Sequence, residues 1–171
     1  MAGTNQSRNK TIGQRQLGLR SKLWPEVKGE DLWDRKSHDG YTTLPRTMPL
    51  ILEIMDSLSP GFPVSSTYLD LWCRAFDEFF VTISNPSDVA FSSGFQGQRR
   101  AQAWNKRIDI LAEHGFIKLA AGASGPRSYA LIMNPHRVIN ALHGQHPSRI
   151  PKDLYNTLVA RGIQIGEKDF S

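Results

Sequence analysis

The chain has 171 residues, of which 39% are hydrophobic, and a formal net charge of +5 at pH 7. This length suits one domain, or one domain with an arm. No apolar run approaches the ~20 residues of a membrane span, and the N-terminus lacks the apolar core of a secretory signal. The single cysteine, Cys73, excludes an internal disulfide and a cysteine-based zinc finger. We therefore expect a cytoplasmic protein without membrane association, in which Cys73 is a buried packing thiol.

Positive charge is concentrated in two segments. Residues 1–24 hold five basic residues and no acid, and residues 96–137 hold seven basic residues against two acids. The segment 46–95 has the opposite sign, with two basic residues against six acids. Surface charge kept for solubility is the alternative explanation, and the opposite sign of the middle segment argues against it. The pattern is typical of a protein that meets a polyanion.

The composition predicts four segments along the chain. Residues 1–22 are polar and basic without apolar periodicity, which predicts a disordered arm. Residues 23–46 contain Trp24 and Trp33 among scattered proline, glycine and aspartate, and we expect an irregular strap held to the core by the two indoles. Residues 47–143 form the predicted main domain, and residues 144–171 a C-terminal helix and tail.

The main domain is expected to begin with two helices. Thr47 can cap a helix that runs to Leu58, with Pro49 early and Pro60-Gly61 after it. A second helix is predicted from Ser65 or Ser66 to about Phe80, followed by a short strand at 81–83. Its predicted apolar face consists of Leu69, Trp72, Cys73, Phe76 and Phe79.

The most informative stretch follows, from Asn85 to Asn134. Asn85 and Pro86 start a short helix that Gly94 stops, and a longer basic helix runs from about residue 98 to 114, closed by Gly115. The remaining predicted elements are strands at 116–121 and 128–133, a helix opened by Asn134-Pro135 that reaches His143, and a last helix from Pro151 to Arg161 that ends at Gly162.

The basic helix separates into a buried arc and a presented stripe when it is wound at 100° per residue. The buried arc consists of Ala101, Trp104, Ile108, Leu111 and Ala112. The opposite stripe consists of Arg99, Gln102, Ala103 and Lys106. Arginine and lysine donate to guanine edges or phosphates, glutamine pairs with adenine, and alanine allows contact with a thymine methyl group. We interpret these four residues as candidates for reading DNA bases.

Further basic and polar residues border this stripe or lie on the hairpin. The hairpin loop 122–127 is the candidate wing, because its glycines permit close approach of its backbone to DNA. The candidates for contact with phosphate are Arg100, Arg107, Lys118, Ser124 and Arg127. An ordinary charged surface helix and an ordinary turn with a solvated arginine are the alternatives.

The segment from Asp88 to Asn134 resembles the winged helix-turn-helix superfamily of DNA-binding domains. The matching positions are Val89, Ala90, Gly94 and Phe95 around the turn, Leu111–Ile117 at the helix exit and Gly122–Ile132 in the wing hairpin. The sequence "NPHRVINAL" from Asn134 also resembles winged-helix initiators and accessory proteins of plasmids and phages. One departure is that the buried positions after the turn fall one residue late, so the turn is longer than in the tight bacterial motif.

The resemblance implies a mainly α fold with a small β-hairpin: a winged helix-turn-helix with extra N- and C-terminal helices. It also implies that the protein binds double-stranded DNA through a recognition helix (about 98–114) and a wing (about 118–130). It implies no catalysis. Transcription regulation or plasmid and phage maintenance in the nucleoid is the expected setting. The last helix is a candidate for homodimer formation.

Two other functional classes remain open at the level of sequence. The acidic middle segment and the tryptophans are compatible with a protein-interaction module, and the charge alone is compatible with binding of RNA or single strands. Catalysis is not expected, because the chain has no phosphate loop, nucleophile elbow or paired-carboxylate signature. His38-Asp39 is better explained as a turn, and His143 with His146 and Asp153 is a weak metal pattern that Gly144 interrupts. We therefore expect no metal and no cofactor.

Overall fold

The computed structural model describes residues 4–170, with side chains from residue 12 onward. The chain divides after Tyr41 into two compact units. Across both units the described residues form seven α-helices and three strands, so the predicted mainly helical class is confirmed. No described helix combines the length and the apolar character required to cross a membrane.

The first unit contains a helix where the sequence predicted disorder. Helix α1 spans Thr4–Leu23, and a 3-10 turn follows at Gly29–Asp31. The prediction of a disordered arm over residues 1–22 is therefore wrong from residue 4 onward, and residues 1–3 lie outside the described part. Glutamine, arginine, lysine and leucine are good helix formers, so local propensity can favour a helix even without an apolar face.

The two tryptophans of the first unit are exposed. Trp24 is 54% and Trp33 is 64% accessible, so the predicted burial of both indoles in a strap is wrong. Trp33 instead stacks on His38, with ring centroids 6.0 Å apart, and meets the edge of Tyr41. His38 Nδ1 also lies 2.8 Å from the carbonyl oxygen of Asp34, as expected for a turn.

The second unit, from Thr42, holds the remaining elements. In chain order they are α2 (Met48–Leu58), α3 (Ser65–Arg74), β1 (Phe80–Thr82), α4 (Pro86–Ser92), α5 (Arg100–Glu113), β2 (Ile117–Gly122), β3 (Gly125–Ile132), α6 (Pro135–Gln145) and α7 (Lys152–Ile165), with 3-10 turns at Pro147–Arg149 and Lys168–Phe170. The C-terminal segment belongs to this unit, because Ile150 and Leu158 are part of its core.

The strands form one antiparallel sheet in the order β1-β3-β2. The expected two-stranded hairpin is therefore widened by a third strand, in which Phe80 pairs with Leu131 and Val81 with Ala130. Val81, Ala130 and Ile132 are buried while Leu131 is exposed, so one face of the sheet covers the core. The alternation follows from the two-residue period of a strand.

Helix α3 presents a different face from the one predicted. Its buried residues are Thr67, Tyr68, Leu71 and Trp72, and the chain buries Ala75 directly after it. Trp72 is buried as predicted, whereas Cys73 and Phe76 are exposed, so the prediction of a buried Cys73 is wrong. The helix ends at Arg74, so its predicted continuation to about Phe80 is wrong as well. Asp56 fixes the start of the helix, because it accepts hydrogen bonds from the Val64 and Ser65 amides, at 2.7 and 2.9 Å.

The helix caps are confirmed at two of three predicted sites. The Asn85 side chain accepts a hydrogen bond from the Ser87 amide, and the Asn134 side chain accepts from the two amides that begin α6. Thr47 makes no side-chain cap. Its hydroxyl lies 2.7 Å from Nε2 of His136, so the buried threonine joins the start of α2 to the start of α6.

The last helix runs through Gly162 instead of ending there. Helix α7 continues to Ile165, and Gly166 ends it in the left-handed conformation at φ 78°. Gly162 is buried because the ring of Phe170 packs against it. The predicted end at Arg161 is wrong because the glycine serves a tertiary contact rather than a turn.

Replacing Gly162 by alanine should therefore destabilise the protein. A Cβ atom there would lie 2.3 Å from Cδ2 of Phe170, so the ring must move, whereas alanine inside a helix is ordinarily favoured by roughly 1 kcal/mol. We expect a net loss of about 1–3 kcal/mol in the free energy of unfolding, measured by urea denaturation. The matched control is Gly144→Ala in α6, where the new Cβ meets open space. Equal stabilisation by both changes would contradict the packing.

Candidate nucleic-acid interface

Helices α4 and α5 are joined by a long turn with two left-handed glycines. Gly94 has φ 92° and Gly97 has φ 81°, conformations that residues with a Cβ rarely adopt. Helix α5 begins at Arg100, with Arg99 at its N-cap, and therefore starts two residues later than predicted. The long turn expected from the sequence is present.

The apolar face of α5 is inserted into the core. Trp104, Ile108 and Leu111 are fully buried, as predicted, and Ala101 and Ala112 are half-buried at the edges of this arc. Burial of this face determines which side chains of the helix point away from the core.

Three of the four candidate base-reading residues are exposed on the outer face. Arg99, Gln102 and Lys106 are exposed, and Ala103 is half-buried. Within the described residues no hydrogen bond or ion pair engages the side chains of Arg99 and Gln102. The ammonium group of Lys106 lies 3.4 Å from the ring centroid of Phe62, a cation–π contact that leaves its hydrogen-bond donors available. The exposed side chains of this stripe therefore keep hydrogen-bond donors that no other described residue uses.

Arg100 is half-buried and engaged by the preceding helix. Its Nε donates a 2.8 Å hydrogen bond to the hydroxyl of Ser87, and its guanidinium lies 5.3 Å from the ring centroid of Phe91. Phe91 is itself 61% exposed. These contacts hold the start of α5 against the start of α4.

Arg107 is anchored on the other side of α5. Its Nε donates to the carbonyl oxygen of Pro63 at 2.9 Å, and its guanidinium lies between the rings of Phe62 and Phe95, 5.0 and 5.7 Å from their centroids. Arg107 thus connects the helix to the loop before α3 and to the turn. Phe62 lies outside every predicted element, so no local pattern indicated its contact with α5.

Arg127 is paired with an aspartate of α5. Its Nε and Nη2 donate to the two carboxylate oxygens of Asp109 at 2.7 and 2.6 Å, a bidentate geometry. The pair raises the pKa of Arg127, so the guanidinium stays charged. This ion pair attaches the hairpin to α5 and neutralises the charge that the sequence analysis assigned to phosphate contact.

The hairpin loop is shorter than expected. Strand β2 ends at Gly122 and β3 begins at Gly125, so Ala123 and Ser124 alone form the exposed tip, and Arg127 lies on a strand. The Ser124 amide donates to Ser128 Oγ at 3.0 Å, which stiffens the tip. Of the predicted phosphate contacts, Lys118 on β2 and Ser124 are the two that are exposed, and Arg100, Arg107 and Arg127 are half-buried.

The structure also brings together residues that the sequence did not associate. His136 at the start of α6 lies beside Glu167 and Asp169 after α7, and one ligand atom of each lies within 4.8 Å of the others. The weak pattern of His143, His146 and Asp153 forms no such cluster among the described residues, and His143 stacks on Tyr155 at 3.6 Å. The cluster was missed because its members come together only through the α7–Gly166 reversal.

Comparison of the chain with protein-family models, with curated proteins and with solved structures finds no match.

Helix α5 ends at a pH-sensitive residue, His114. Its Nδ1 lies 3.5 Å from Nη2 of Arg149, a contact in which a neutral imidazole accepts. Burial and then the positive charge of Arg149 lower the pKa of His114 from its ordinary value of 6.5, although a hydrogen bond with the Leu58 backbone opposes them. The neutral ring is therefore the form that the folded protein favours.

The free energy of unfolding should fall as the pH is lowered below 6.5, the ordinary pKa of histidine. The unfolded chain takes up the His114 proton near pH 6.5 and the folded chain only at lower pH, so the contribution is present above 6.5 and is lost below it. Thermal unfolding of the wild type and His114→Gln from pH 8 to about pH 5 measures the effect, with the variant giving the shallower slope. His136, whose pKa burial also lowers, is present in both proteins and cancels. Identical slopes would contradict the assignment.

Proposed function

We propose that this protein binds double-stranded DNA in a sequence-specific manner as a winged helix-turn-helix protein. The order of elements that underlies the resemblance is present: the short helix α4, the glycine turn, the basic helix α5 and the hairpin β2–β3. In the proposed mode α5 enters the major groove and the hairpin tip lies on the flanking backbone. The protein acts by recognition, without catalysis or a cofactor.

The observation that carries the proposal is the outer face of α5. Arg99, Gln102 and Lys106 project from one exposed stripe, and no ion pair within the described residues neutralises the two cations. Charged and amide donors that are left open on a rigid helix match the acceptor pattern of the major groove. The buried Trp104 and Ile108 on the opposite face keep this stripe in a fixed orientation.

Different side chains would have different parts in the complex. Arg99 and Lys106 would bind guanine edges, Gln102 adenine and Ala103 a thymine methyl group. Lys118 and Ser124 would contact phosphates. Arg100, Arg107 and Arg127 act as anchors in the free protein, the first two through Nε and Arg127 through Nε and Nη2. The remaining N–H donors of each guanidinium would be available to a phosphate while the anchoring hydrogen bond persists. We propose transcription regulation or maintenance of a plasmid or phage in the nucleoid as the setting.

Homodimer formation through the C-terminal helix is a weaker part of the proposal. Leu158 of α7 is buried in the core and Leu154 and Tyr155 pack against it, which uses the apolar face of the helix within the chain. Ile163, which is 60% exposed, remains on its outer side. Selection of bound sequences from a random duplex pool tests specificity and dimerisation together, since a dimer selects a two-fold-symmetric site.

Removing the two cations of the stripe should weaken binding to duplex DNA while the fold survives. Each contact of this kind contributes about 1–3 kcal/mol, so Arg99→Ala with Lys106→Ala should lower the affinity at least 10-fold. Fluorescence anisotropy on the selected duplex at several salt concentrations measures both the affinity and its salt dependence.

The matched control carries the same loss of charge elsewhere. Arg35→Ala with Lys36→Ala removes two exposed cations from the first unit and should change the affinity little. Equal losses in the two double variants would reduce the effect to net charge. Unchanged binding in the α5 variant would exclude the proposed reading helix.

The Asp109–Arg127 pair yields a prediction in the opposite direction. Asp109→Asn removes a negative charge from α5 and releases Arg127 for a phosphate, so the affinity for duplex should rise several-fold and the salt dependence should steepen by roughly one counterion. Asp153→Asn in α7 is the control of equal charge. A fall in affinity would mean instead that the pair positions the hairpin for binding.

A protein-interaction module is the second candidate, and one observation favours it. Phe76 is 82% and Phe80 is 47% exposed beside the edge strand β1, and exposed aromatic side chains are enriched in protein interfaces. Absence of duplex affinity together with a partner whose binding is lost in Phe76→Ser would favour this function. Competition of single-stranded DNA or RNA against the duplex separates the third candidate, binding of single strands.

A further inference from the structure

A buried histidine and two carboxylates line a pocket to which α5 contributes no residue. The pocket has a volume of about 440 Å³, and its lining includes His136, Glu167 and Asp169 together with Trp72 and Phe79. His136 is 4% exposed, whereas the side chains of Glu167 and Asp169 are 30% and 25% exposed. The cluster therefore combines a fixed buried imidazole with carboxylates that solvent can reach.

A hydrogen bond at one ring nitrogen orients the imidazole, and the other ring nitrogen is available to a metal ion. Nε2 of His136 lies 2.7 Å from the hydroxyl of the buried Thr47, and the edge of the ring contacts Phe170, 5.0 Å between centroids. Nδ1 makes no hydrogen bond within the described residues, and Oε2 of Glu167 lies 3.8 Å from it. Histidine ligands of metals commonly have this arrangement, with the second nitrogen held by a polar partner.

Each of the two carboxylates is oriented by a hydrogen bond to one of its oxygens, and its other oxygen remains available to a ligand. Oε1 of Glu167 accepts from the Lys168 amide at 2.9 Å, while Oε2 lies 3.8 Å from Nδ1 of His136 and accepts no hydrogen bond from the part of the chain that the structure describes. Oδ2 of Asp169 accepts from the Asn134 side chain at 2.7 Å. Its Oδ1 lies 3.9 Å from Nε of Arg137, whose side chain is 78% exposed and free to turn away.

The backbone explains why these groups converge. Gly166 reverses the chain in the left-handed conformation, and the Glu167 amide donates to the Gly162 carbonyl at 2.9 Å. Phe170 then packs on Gly162 and on His136, which brings the intervening carboxylates to the imidazole. The convergence is thus a product of a closed helix end and an aromatic anchor.

We propose that His136, Glu167 and Asp169 form a binding site for a divalent transition metal ion of the zinc type. One imidazole nitrogen and two carboxylate oxygens match the ligands of zinc, and the pocket provides room for a water as the fourth ligand. Magnesium and calcium prefer all-oxygen sites and are disfavoured by the imidazole. The bound ion joins α6, the C-terminal turn and, through Thr47, the start of α2.

The site needs a small closure to bind the ion. Ligand atoms around a tetrahedral zinc lie roughly 3.4 Å apart, whereas these three atoms lie within 4.8 Å of one another. The turn that carries Glu167 and Asp169 would move by about 1 Å, and the contact of Phe170 with Gly162 can persist. Binding of the ion, with its fourth position left to water, would tighten the C-terminal segment.

The test uses the full chain without a purification tag, stripped with a chelator and titrated with zinc chloride. We expect one equivalent of zinc to bind and to raise the melting temperature, while magnesium has no such effect. Cobalt(II) should give the visible absorption of a low-symmetry site, and its loss on addition of zinc would place both ions together.

Two variants make the test specific. Glu167→Gln preserves the hydrogen bond to Oε1 and removes the anionic ligand, and should weaken zinc binding roughly 10-fold or more. Glu53→Gln, an exposed carboxylate of α2, is the matched control and should bind as the wild type does. His143→Gln with His146→Gln should also retain the site.

Three results would overturn the proposal. They are failure of one equivalent of zinc to raise the melting temperature, equal zinc affinity in Glu167→Gln and the wild type, or loss of zinc in the His143 and His146 variant. In the last case the ion would belong to the other histidines. Binding to DNA is not part of this test, so its outcome is independent of the proposed function.

Discussion

The insertion of the apolar face of α5 into the core is the constraint on which the second unit depends. Trp104, Ile108 and Leu111 have no exposure, and withdrawing such large side chains from water contributes about 1.5–3 kcal/mol each. Rotating the helix by one residue would expose them and bury charge. The same packing that stabilises the domain therefore dictates that Arg99, Gln102 and Lys106 face outward, which is the basis of the proposed DNA-binding surface.

The cations around α5 divide into free and engaged groups, and their positions explain the division. Arg100 reaches α4, Arg107 reaches the loop before α3, and Arg127 reaches Asp109. Each of them donates a hydrogen bond to another element, whereas no hydrogen bond or ion pair within the described residues engages the side chains of Lys118, Arg99 or Lys106. Lys106 contacts the ring of Phe62 instead. Basic composition alone would count all of them alike. The distinction changes the expected effect of mutation, since Arg107→Ala alters the scaffold as well as the charge.

The C-terminal segment shows how a local rule can be redirected by tertiary contact. Glycine after a periodic stretch ordinarily ends a helix, and Gly162 was expected to do so. Phe170 occupies the space that a side chain at residue 162 would need, and the helix ends instead at Gly166. The cluster of His136, Glu167 and Asp169 depends on this arrangement, and no spacing in the sequence could have indicated it.

The sequence by itself determined the helix starts at Asn85 and Asn134 and the buried arc of α5, because capping residues, glycines and apolar periodicity act over a few neighbouring residues. Asn85, Asn134 and Gly115 behave as their types predict. Tertiary structure alone decided the face of α3 and the exposure of Cys73, the pairing of Arg127, and the meeting of His136 with the C-terminal turn. These depend on which distant groups lie within a few ångströms, and a long-range contact of that kind leaves no periodic trace in the chain.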